Sequence, residues 1–256
     1  MKHRLTNLIG LLVLASIATG ARAAEATIAV AANFTEVMQH LKADFDAQTG
    51  NRLRVTIGST GSLYAQIKNG APFDVMLAAD ERRPQLLVEN GAAVKGSRFT
   101  YAIGRLTLWS PDPNMIAADG AKTLAAGRFH KLAMANPKLA PYGAAAQQTL
   151  KTLGLADKLA SRIVTGANIG QTFAMVSTGN ADLGFVALSY VLSSRNHQPG
   201  SRWDVPRSDY SPIRQDAVLT MHGKNNAVAK AFLKFLRSPQ AVETIKHYGY
   251  MTAPGT

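Results

Sequence analysis

The 256-residue sequence contains no cysteine. Disulfide frameworks, zinc–thiolate sites and cysteine nucleophiles are therefore excluded, and the fold must be held together by its hydrophobic core. Acidic residues are also scarce, with 16 Asp and Glu against 28 Lys and Arg, for a formal net charge of +12. Because the basic residues are scattered, without a basic run or interleaved aromatics, they indicate a solvated positive surface and not a nucleic-acid-binding one.

Long apolar runs are missing after the start of the chain. A basic segment at residues 1–4 precedes an apolar run at residues 8–18, which is short for a bilayer-spanning helix. Ala21-Arg22-Ala23 then matches the small-x-small pattern of a signal-peptidase site. The pattern predicts a secretory signal over residues 1–23 and an exported protein, and it disfavours the alternative of an uncleaved N-terminal anchor.

Motifs of common enzyme classes are absent from the sequence as well. There is no His-Glu-x-x-His, no Gly-x-Ser-x-Gly nucleophile elbow and no phosphate-binding Gly-x-x-x-x-Gly-Lys-Ser/Thr loop. The six histidines lack the spacing of a helical metal site. These absences favour a binding protein over an enzyme, and an exported hydrolase on the same scaffold is the alternative from another functional class.

Strand-like and helix-like stretches alternate along the rest of the chain, which predicts an α/β fold. Extended segments at residues 101–110 and 216–221 are expected to cross between two α/β units. Two lobes joined by two crossings make a hinge around a cleft. The predicted division is a signal at 1–23, a first lobe at 24–105 and 217–256, and a second lobe at 106–216.

Four strand-to-helix turns stand out, two in each predicted lobe. They lie at Ala32-Asn33, Ser59-Thr60, Tyr142-Gly143 and Ile169-Gly170. In open α/β sheets, ligands bind beyond the carboxyl ends of the strands, where helix N-termini offer unpaired N–H donors and about half a positive charge. Each turn alone is more simply explained as a helix cap, since Asn, Ser and Thr are preferred N-caps. Together, the four turns predict a cage of neutral donors around an anion.

The chemistry of such a cage limits the anion that it could hold. A fully ionised oxyanion only accepts hydrogen bonds, whereas hydrogen phosphate would also need an acceptor such as a carboxylate. Glu36 is the acid close to a turn, and the pattern Asn33-Phe34-Thr35-Glu36 explains it as part of a capping box. The turns otherwise lack acids, which favours a proton-free dianion such as sulfate, molybdate or tungstate.

Seven segments of the sequence resemble a known family and follow its order: AANFTEVMQ, NGAPFDVMLAAD, GSRFTYAIGRLTLWS, APYGAAA, GANIGQ, ADLGFVALS and SPQAVETIKHYGY. The chain resembles the periplasmic molybdate-binding proteins of ABC importers, within the type II solute-binding superfamily, over essentially the whole mature sequence. The resemblance implies a two-lobed periplasmic binding protein type II fold with a hinged cleft. It also implies a periplasmic monomer that captures molybdate or tungstate as a ligand, uses no cofactor, and delivers the anion to an inner-membrane permease.

The resemblance also implies which residues hold the anion. The ligand positions fall on Asn33, Thr60, Tyr142 and Ile169, with Ser59 beside Thr60. Backbone N–H groups are expected to serve at Tyr142 and Ile169, with added side-chain donors at Asn33 and Thr60, so that molybdate is held through its oxygens without direct metal ligands.

Two positions depart from the pattern of many family members. These members have Ser at the position of Asn33, and they place a tyrosine hydroxyl at the position of Ala187. A second branch of the family is more similar, because it pairs Asn in the first loop with Tyr in the Pro-Tyr-Gly turn. Ala187 leaves open the coordination number and the preference between molybdate and tungstate, and another oxyanion such as sulfate is the alternative ligand.

Overall fold

A computed structural model describes residues 24–252, so the predicted signal at residues 1–23 lies outside the described residues. The strands are β1 (Glu25–Ala31), β2 (Arg52–Gly58), β3 (Val75–Leu77), β4 (Phe99–Gly104), β5 (Leu106–Ser110), β6 (Leu132–Ala135), β7 (Ile163–Gly166), β8 (Leu183–Ala187), β9 (Ser201–Asp204) and β10 (Ile213–Leu219). The helices are α1 (Thr35–Thr49), α2 (Thr60–Lys68), α3 (Arg82–Glu89), α4 (Gly120–Ala126), α5 (Pro141–Thr152), α6 (Ala156–Leu159), α7 (Ile169–Ser177), α8 (Leu188–Val191), α9 (Ala227–Phe235) and α10 (Pro239–His247). Over residues 24–252, no helix combines the length and the apolar character that a membrane crossing requires.

The strands form two separate five-stranded sheets, and each sheet defines one lobe. The first sheet has the order β2-β1-β3-β10-β4 and the second β7-β6-β8-β5-β9. In the first sheet β1 is parallel to β2 and β3, whereas β10 runs antiparallel to β3 and β4. In the second, β6 is parallel to β7 and β8, and β5 is antiparallel to β8 and β9. The predicted two-lobed α/β fold is confirmed.

The chain passes between the sheets twice. It leaves the first sheet between β4 and β5, and it returns between β9 and β10. The predicted lobe bound at 105/106 coincides with the first passage. The predicted bound at 216/217 falls inside β10. The polar sequence Arg214-Gln215-Asp216 does not have the pattern of a buried strand, but Gln215 and Asp216 are fully buried in the structure. The lobe bounds stay a prediction.

Each lobe has its own hydrophobic core. In the first lobe, Phe34 and Phe45 pack with Phe232 and Ile245 from the C-terminal helices. The core of the second lobe includes strand residues such as Leu132 and Phe185, together with the alanines Ala31, Ala32 and Ala79 from the first lobe. The two lobes therefore pack directly against each other, with the turns that follow β1 and β3 at the contact.

The start of α1 differs from the prediction. Ala32–Phe34 forms a 3-10 turn, α1 begins at Thr35, and no side chain caps either segment. Glu36 does not reach back as a capping residue: its Oε2 accepts a hydrogen bond from Ser193 Oγ at 3.0 Å. The predicted capping box is wrong, because Asn33 donates its side-chain amide to buried partners and Glu36 contacts the second lobe.

Candidate oxyanion-binding site

A small cavity lies between the lobes, where the four turns meet. Its cavity volume is about 10 Å³, which is roughly the space of one water-sized sphere. Pockets for drug-sized ligands have roughly 300–1,000 Å³, so this cavity suits a single small ion or molecule. The lining residues are Ala31, Ala32, Asn33, Gly58, Ser59, Thr60, Ala79, Ala140, Pro141, Tyr142, Asn168 and Ile169. All five residues predicted for the site are among them.

None of these twelve lining residues carries a formal charge. The polar residues of the lining are Asn33, Ser59, Thr60, Tyr142 and Asn168. No carboxylate, lysine, arginine or histidine belongs to the lining. Any charge on a bound ligand is therefore balanced by dipoles and hydrogen bonds and not by a salt bridge.

The first-lobe wall is built by the turn between β2 and α2. Ser59 is the N-cap of α2, and its Oγ accepts from the Ser62 backbone N–H at 3.2 Å. Thr60 Oγ1 accepts from the Ala79 backbone N–H at 2.9 Å. That bond uses an oxygen lone pair, so the hydroxyl proton of Thr60 is left to be donated. The Ser59–Thr60 turn therefore combines a fixed backbone with a hydroxyl donor.

Asn33 lies at the middle of the 3-10 turn after β1. Its Nδ2 donates to Gln215 Oε1 at 2.8 Å and to the Tyr250 hydroxyl at 3.0 Å, which engages both protons of the amide nitrogen. Its backbone carbonyl accepts from the Tyr250 hydroxyl at 2.7 Å and from Ser189 Oγ at 2.9 Å. The side-chain amide protons of Asn33 are therefore engaged by Gln215 and Tyr250 in this structure, whereas the sequence predicted the side chain as a donor to the anion.

Two helix N-termini form the second-lobe wall. Tyr142 follows Pro141 in the first turn of α5, and Ile169 is the first residue of α7. Asn168 caps α7, because its Oδ1 accepts from the Gln171 backbone N–H at 2.9 Å. The first N–H groups of a helix lack intrahelical acceptors, and they point along the positive end of the helix dipole. Backbone donors from both helices therefore border the cavity.

Buried tyrosines surround the back of the cavity. Burial raises the pKa of Tyr101 and Tyr142 well above the ordinary tyrosine value, and it also raises the pKa of Tyr250. Burial raises the pKa of Tyr190 to about 12. All four hydroxyls are therefore neutral at physiological pH and place no negative charge near the site.

Direct contacts between the lobes flank the cavity, which identifies this arrangement as a closed form. On one side, the Gly61 backbone N–H donates to the Leu139 carbonyl at 2.9 Å. On the other side, the Tyr190 hydroxyl donates to the Ala32 carbonyl and Ser193 Oγ donates to Glu36. Hydrogen bonds that cross from one lobe to the other thus flank the cavity on both sides.

Sequence reasoning did not single out Gln215, Tyr250, Ser189 or Tyr190 for the site. Ser189 and Tyr190 lie in α8, which begins directly after β8, and their hydroxyls donate to the carbonyls of Asn33 and Ala32. Ala187, the position of the departure from the family pattern, is the last residue of β8 and is fully buried. The Tyr250 hydroxyl bonds a residue 217 positions earlier, and no local pattern in the sequence indicates such a partner.

The sequence matches a family model described as bacterial extracellular solute-binding protein over residues 26–251. The molybdate-binding protein ModA of Azotobacter vinelandii is 48% identical over 250 residues, which cover 98% of this chain and 99% of that protein. The molybdate-binding protein ModA of Rhodobacter capsulatus is 47% identical over 236 residues, or 92% of each chain. The solved structure of the periplasmic molybdate-binding protein of A. vinelandii aligns with a TM-score of 0.86 at 42% identity, covering 89% of this chain and 99% of that one.

Proposed function

The chain belongs to the bacterial extracellular solute-binding protein family, and we propose that it captures molybdate or tungstate in the cavity between its lobes. The resemblance predicted from the sequence motifs is confirmed by relatives that are 48% and 47% identical and are molybdate-binding proteins. Molybdate is a transported ligand in this proposal and not a cofactor. We further propose that the mature protein is a periplasmic monomer that delivers the anion to an ABC importer permease in the inner membrane.

The observation that carries this proposal is the uncharged cavity onto which turns of both lobes converge. The backbone N–H groups of Asn33, Tyr142 and Ile169 and the hydroxyl of Thr60 would donate to the oxygens of the anion, with Ser59 beside them. Helix N-termini hold anions by their free N–H groups and their dipole. A fully ionised tetrahedral dianion matches this set of donors, because it needs no acceptor and no counter-charge from the protein.

The same geometry supports a binding role over catalysis. The candidate nucleophiles on the cavity wall are Ser59 and Thr60, whose oxygens accept from the Ser62 and Ala79 backbone N–H groups. A general base would have to lie within hydrogen-bond reach of such a hydroxyl. No histidine or carboxylate belongs to the cavity lining, so we propose that the protein is not an enzyme.

Calorimetric titration with molybdate, tungstate, sulfate and phosphate tests the proposal in one series. We expect molybdate and tungstate to bind at least about 100-fold more tightly than sulfate, a difference of roughly 2.7 kcal/mol. Phosphate should not bind measurably, because its protonated form finds no carboxylate acceptor on the cavity wall. Equal affinity for sulfate would mean that the protein binds dianions in general and is not specific for molybdate. In a separate assay, turnover of esters or phosphoesters would favour the hydrolase alternative.

A further inference from the structure

Gln215 lies directly behind the cavity, on the strand that returns the chain to the first lobe. It is the third residue of β10, and its side chain is fully buried. The register of β10 against β4 shifts between Gln215 and Asp216. Such bulges bend a strand locally and re-aim its side chains. The backbone of the crossing strand, and not a loop, therefore sets the direction of the Gln215 amide.

The Gln215 amide joins residues from both lobes. Its Oε1 accepts from Asn33 Nδ2 at 2.8 Å and from the Tyr101 hydroxyl at 3.2 Å. Its Nε2 donates to the Tyr142 hydroxyl at 3.3 Å. Asn33 belongs to the first-lobe wall of the cavity and Tyr142 to the second-lobe wall. One buried amide thus connects a cavity residue of each lobe without itself lining the cavity.

We propose that Gln215 is a positioning residue for the oxyanion site, which holds the Asn33 turn and the Tyr142 turn in register when the lobes are closed. This inference rests on the proposed function, because it concerns the same cavity. Backbone donors bind an oxyanion well only if their positions are held to within a fraction of an ångström. Gln215 therefore contributes to affinity through Asn33 and Tyr142, and it does not touch the anion.

The position requires an acceptor and a donor on one neutral planar group. The glutamine amide supplies an acceptor to Asn33 and a donor to Tyr142. An ionised carboxylate has no donor, so the Tyr142 hydroxyl would have to turn and donate to it, and the carboxylate would add a negative charge behind the cavity. A protonated carboxyl regains both functions. In a Gln215→Glu variant, the affinity for the anion should therefore depend on whether the introduced carboxyl is protonated.

The test compares Gln215→Glu and Gln215→Met with the wild type by molybdate calorimetry between about pH 5.5 and 8.5, since burial shifts the pKa of an introduced carboxyl upward into this range. For Gln215→Glu, we expect an affinity at least about 30-fold below the wild type at the highest pH and within about threefold at the lowest pH. For Gln215→Met, we expect a loss of about tenfold or more at every pH, because both hydrogen bonds are removed.

Gln148→Glu is the matched control. Gln148 lies on α5 of the second lobe, where its exposed side chain accepts from the Ser211 backbone N–H at 2.8 Å and does not line the cavity. The Gln148→Glu variant gains the same charge away from the hydrogen bonds of Gln215. Its molybdate affinity should stay within about twofold of the wild type at every pH. Thermal unfolding of each unliganded variant at each pH reports on the fold separately.

A Gln215→Glu affinity that keeps a constant ratio to the wild type across this pH range would overturn the inference, because the loss of binding would then not follow the ionisation of the introduced carboxyl. Wild-type affinity for Gln215→Met would overturn it as well. If the wild type instead binds another dianion of the series, the proposed function fails and the comparison is made with that anion. If the wild type binds none of the anions, the proposed function and the inference fail together.

Discussion

Arg83 of α3 donates a hydrogen bond from its guanidinium to the backbone carbonyl of Lys138, at 2.9 Å, across the boundary between the lobes. The guanidinium is held by an ion pair with Asp80, whose carboxylate also accepts from the Arg83 backbone N–H. Beside this contact, the Gly61 backbone N–H donates to the carbonyl of Leu139. Two successive carbonyls of the second lobe are therefore bound by donors of the first lobe, which stabilises the closed form.

Removal of the Arg83 guanidinium is expected to weaken anion binding without altering the cavity wall. Arg83→Ala should raise the molybdate dissociation constant about three- to tenfold, since one partly exposed, charge-assisted hydrogen bond contributes roughly 1 kcal/mol to closure. Calorimetry measures the change. Arg82→Ala is the matched control, because Arg82 precedes Arg83 on α3 and its loss removes the same charge. Equal losses in both variants would indicate an effect of charge alone and contradict a specific contact.

Substitution of Thr60 separates its two hydrogen-bonding functions. Thr60→Val removes the hydroxyl donor toward the cavity, and it also leaves the Ala79 backbone N–H without its acceptor. We expect about a tenfold loss of molybdate affinity and a stability loss of about 1–3 kcal/mol, with the fold retained. Thr60→Ser keeps the hydroxyl and should stay within about threefold of the wild type in affinity. An unchanged dissociation constant for Thr60→Val would remove Thr60 from the side-chain donors.

The sequence predicted those parts of the structure that depend on neighbouring residues. The apolar run at residues 27–31 lies in β1, and helices begin at the predicted turns Ser59-Thr60 and Ile169-Gly170. The end of α1 is also a local feature, since Gly50 adopts there a left-handed φ of 67°, which favours glycine. Local periodicity and capping preferences were sufficient for these features, because their hydrogen bonds lie within a few residues.

The support behind the cavity could not be predicted, because its partners are distant in sequence. Gln215 and Asn33 are separated by 182 positions, and Tyr250 and Asn33 by 217. The local rule even led to an error at Asn33, since an Asn three residues before Glu36 matches a capping box. Instead of capping a helix, the buried Asn33 amide donates to two acceptors that are distant in sequence, Gln215 and Tyr250.

Gly104 at the end of β4 is expected to be essential for the packing behind the cavity. A Cβ atom at this position would lie 2.1 Å from the Tyr142 hydroxyl oxygen and 2.6 Å from Gln215 Nε2. Gly104→Ala should therefore lower the stability by about 1–3 kcal/mol through overpacking, and it should weaken molybdate binding by displacing Tyr142. Thermal unfolding and calorimetry measure the two effects.

A double variant tests whether this clash is the cause. Tyr142→Phe removes the atom nearest to the added methyl group, so Gly104→Ala should be less harmful in the Tyr142→Phe background than in the wild type. Residues in contact commonly show coupling of about 0.5–3 kcal/mol in such a cycle. Additive losses would mean that the methyl group acts elsewhere and would contradict the assigned role of Gly104.

Alkaline pH is expected to destabilise the protein through its buried tyrosines. Burial raises the pKa of Tyr101, Tyr142 and Tyr250 in the folded state, and that of Tyr190 to about 12. In the unfolded chain these hydroxyls ionise near about pH 10. Stability is therefore fully present below about pH 10 and falls as the pH rises above it, because the unfolded state then binds fewer protons. Tyrosinate absorbance should rise for these four residues only together with loss of the circular dichroism of the fold. Their ionisation in a chain that stays folded would contradict the burial argument.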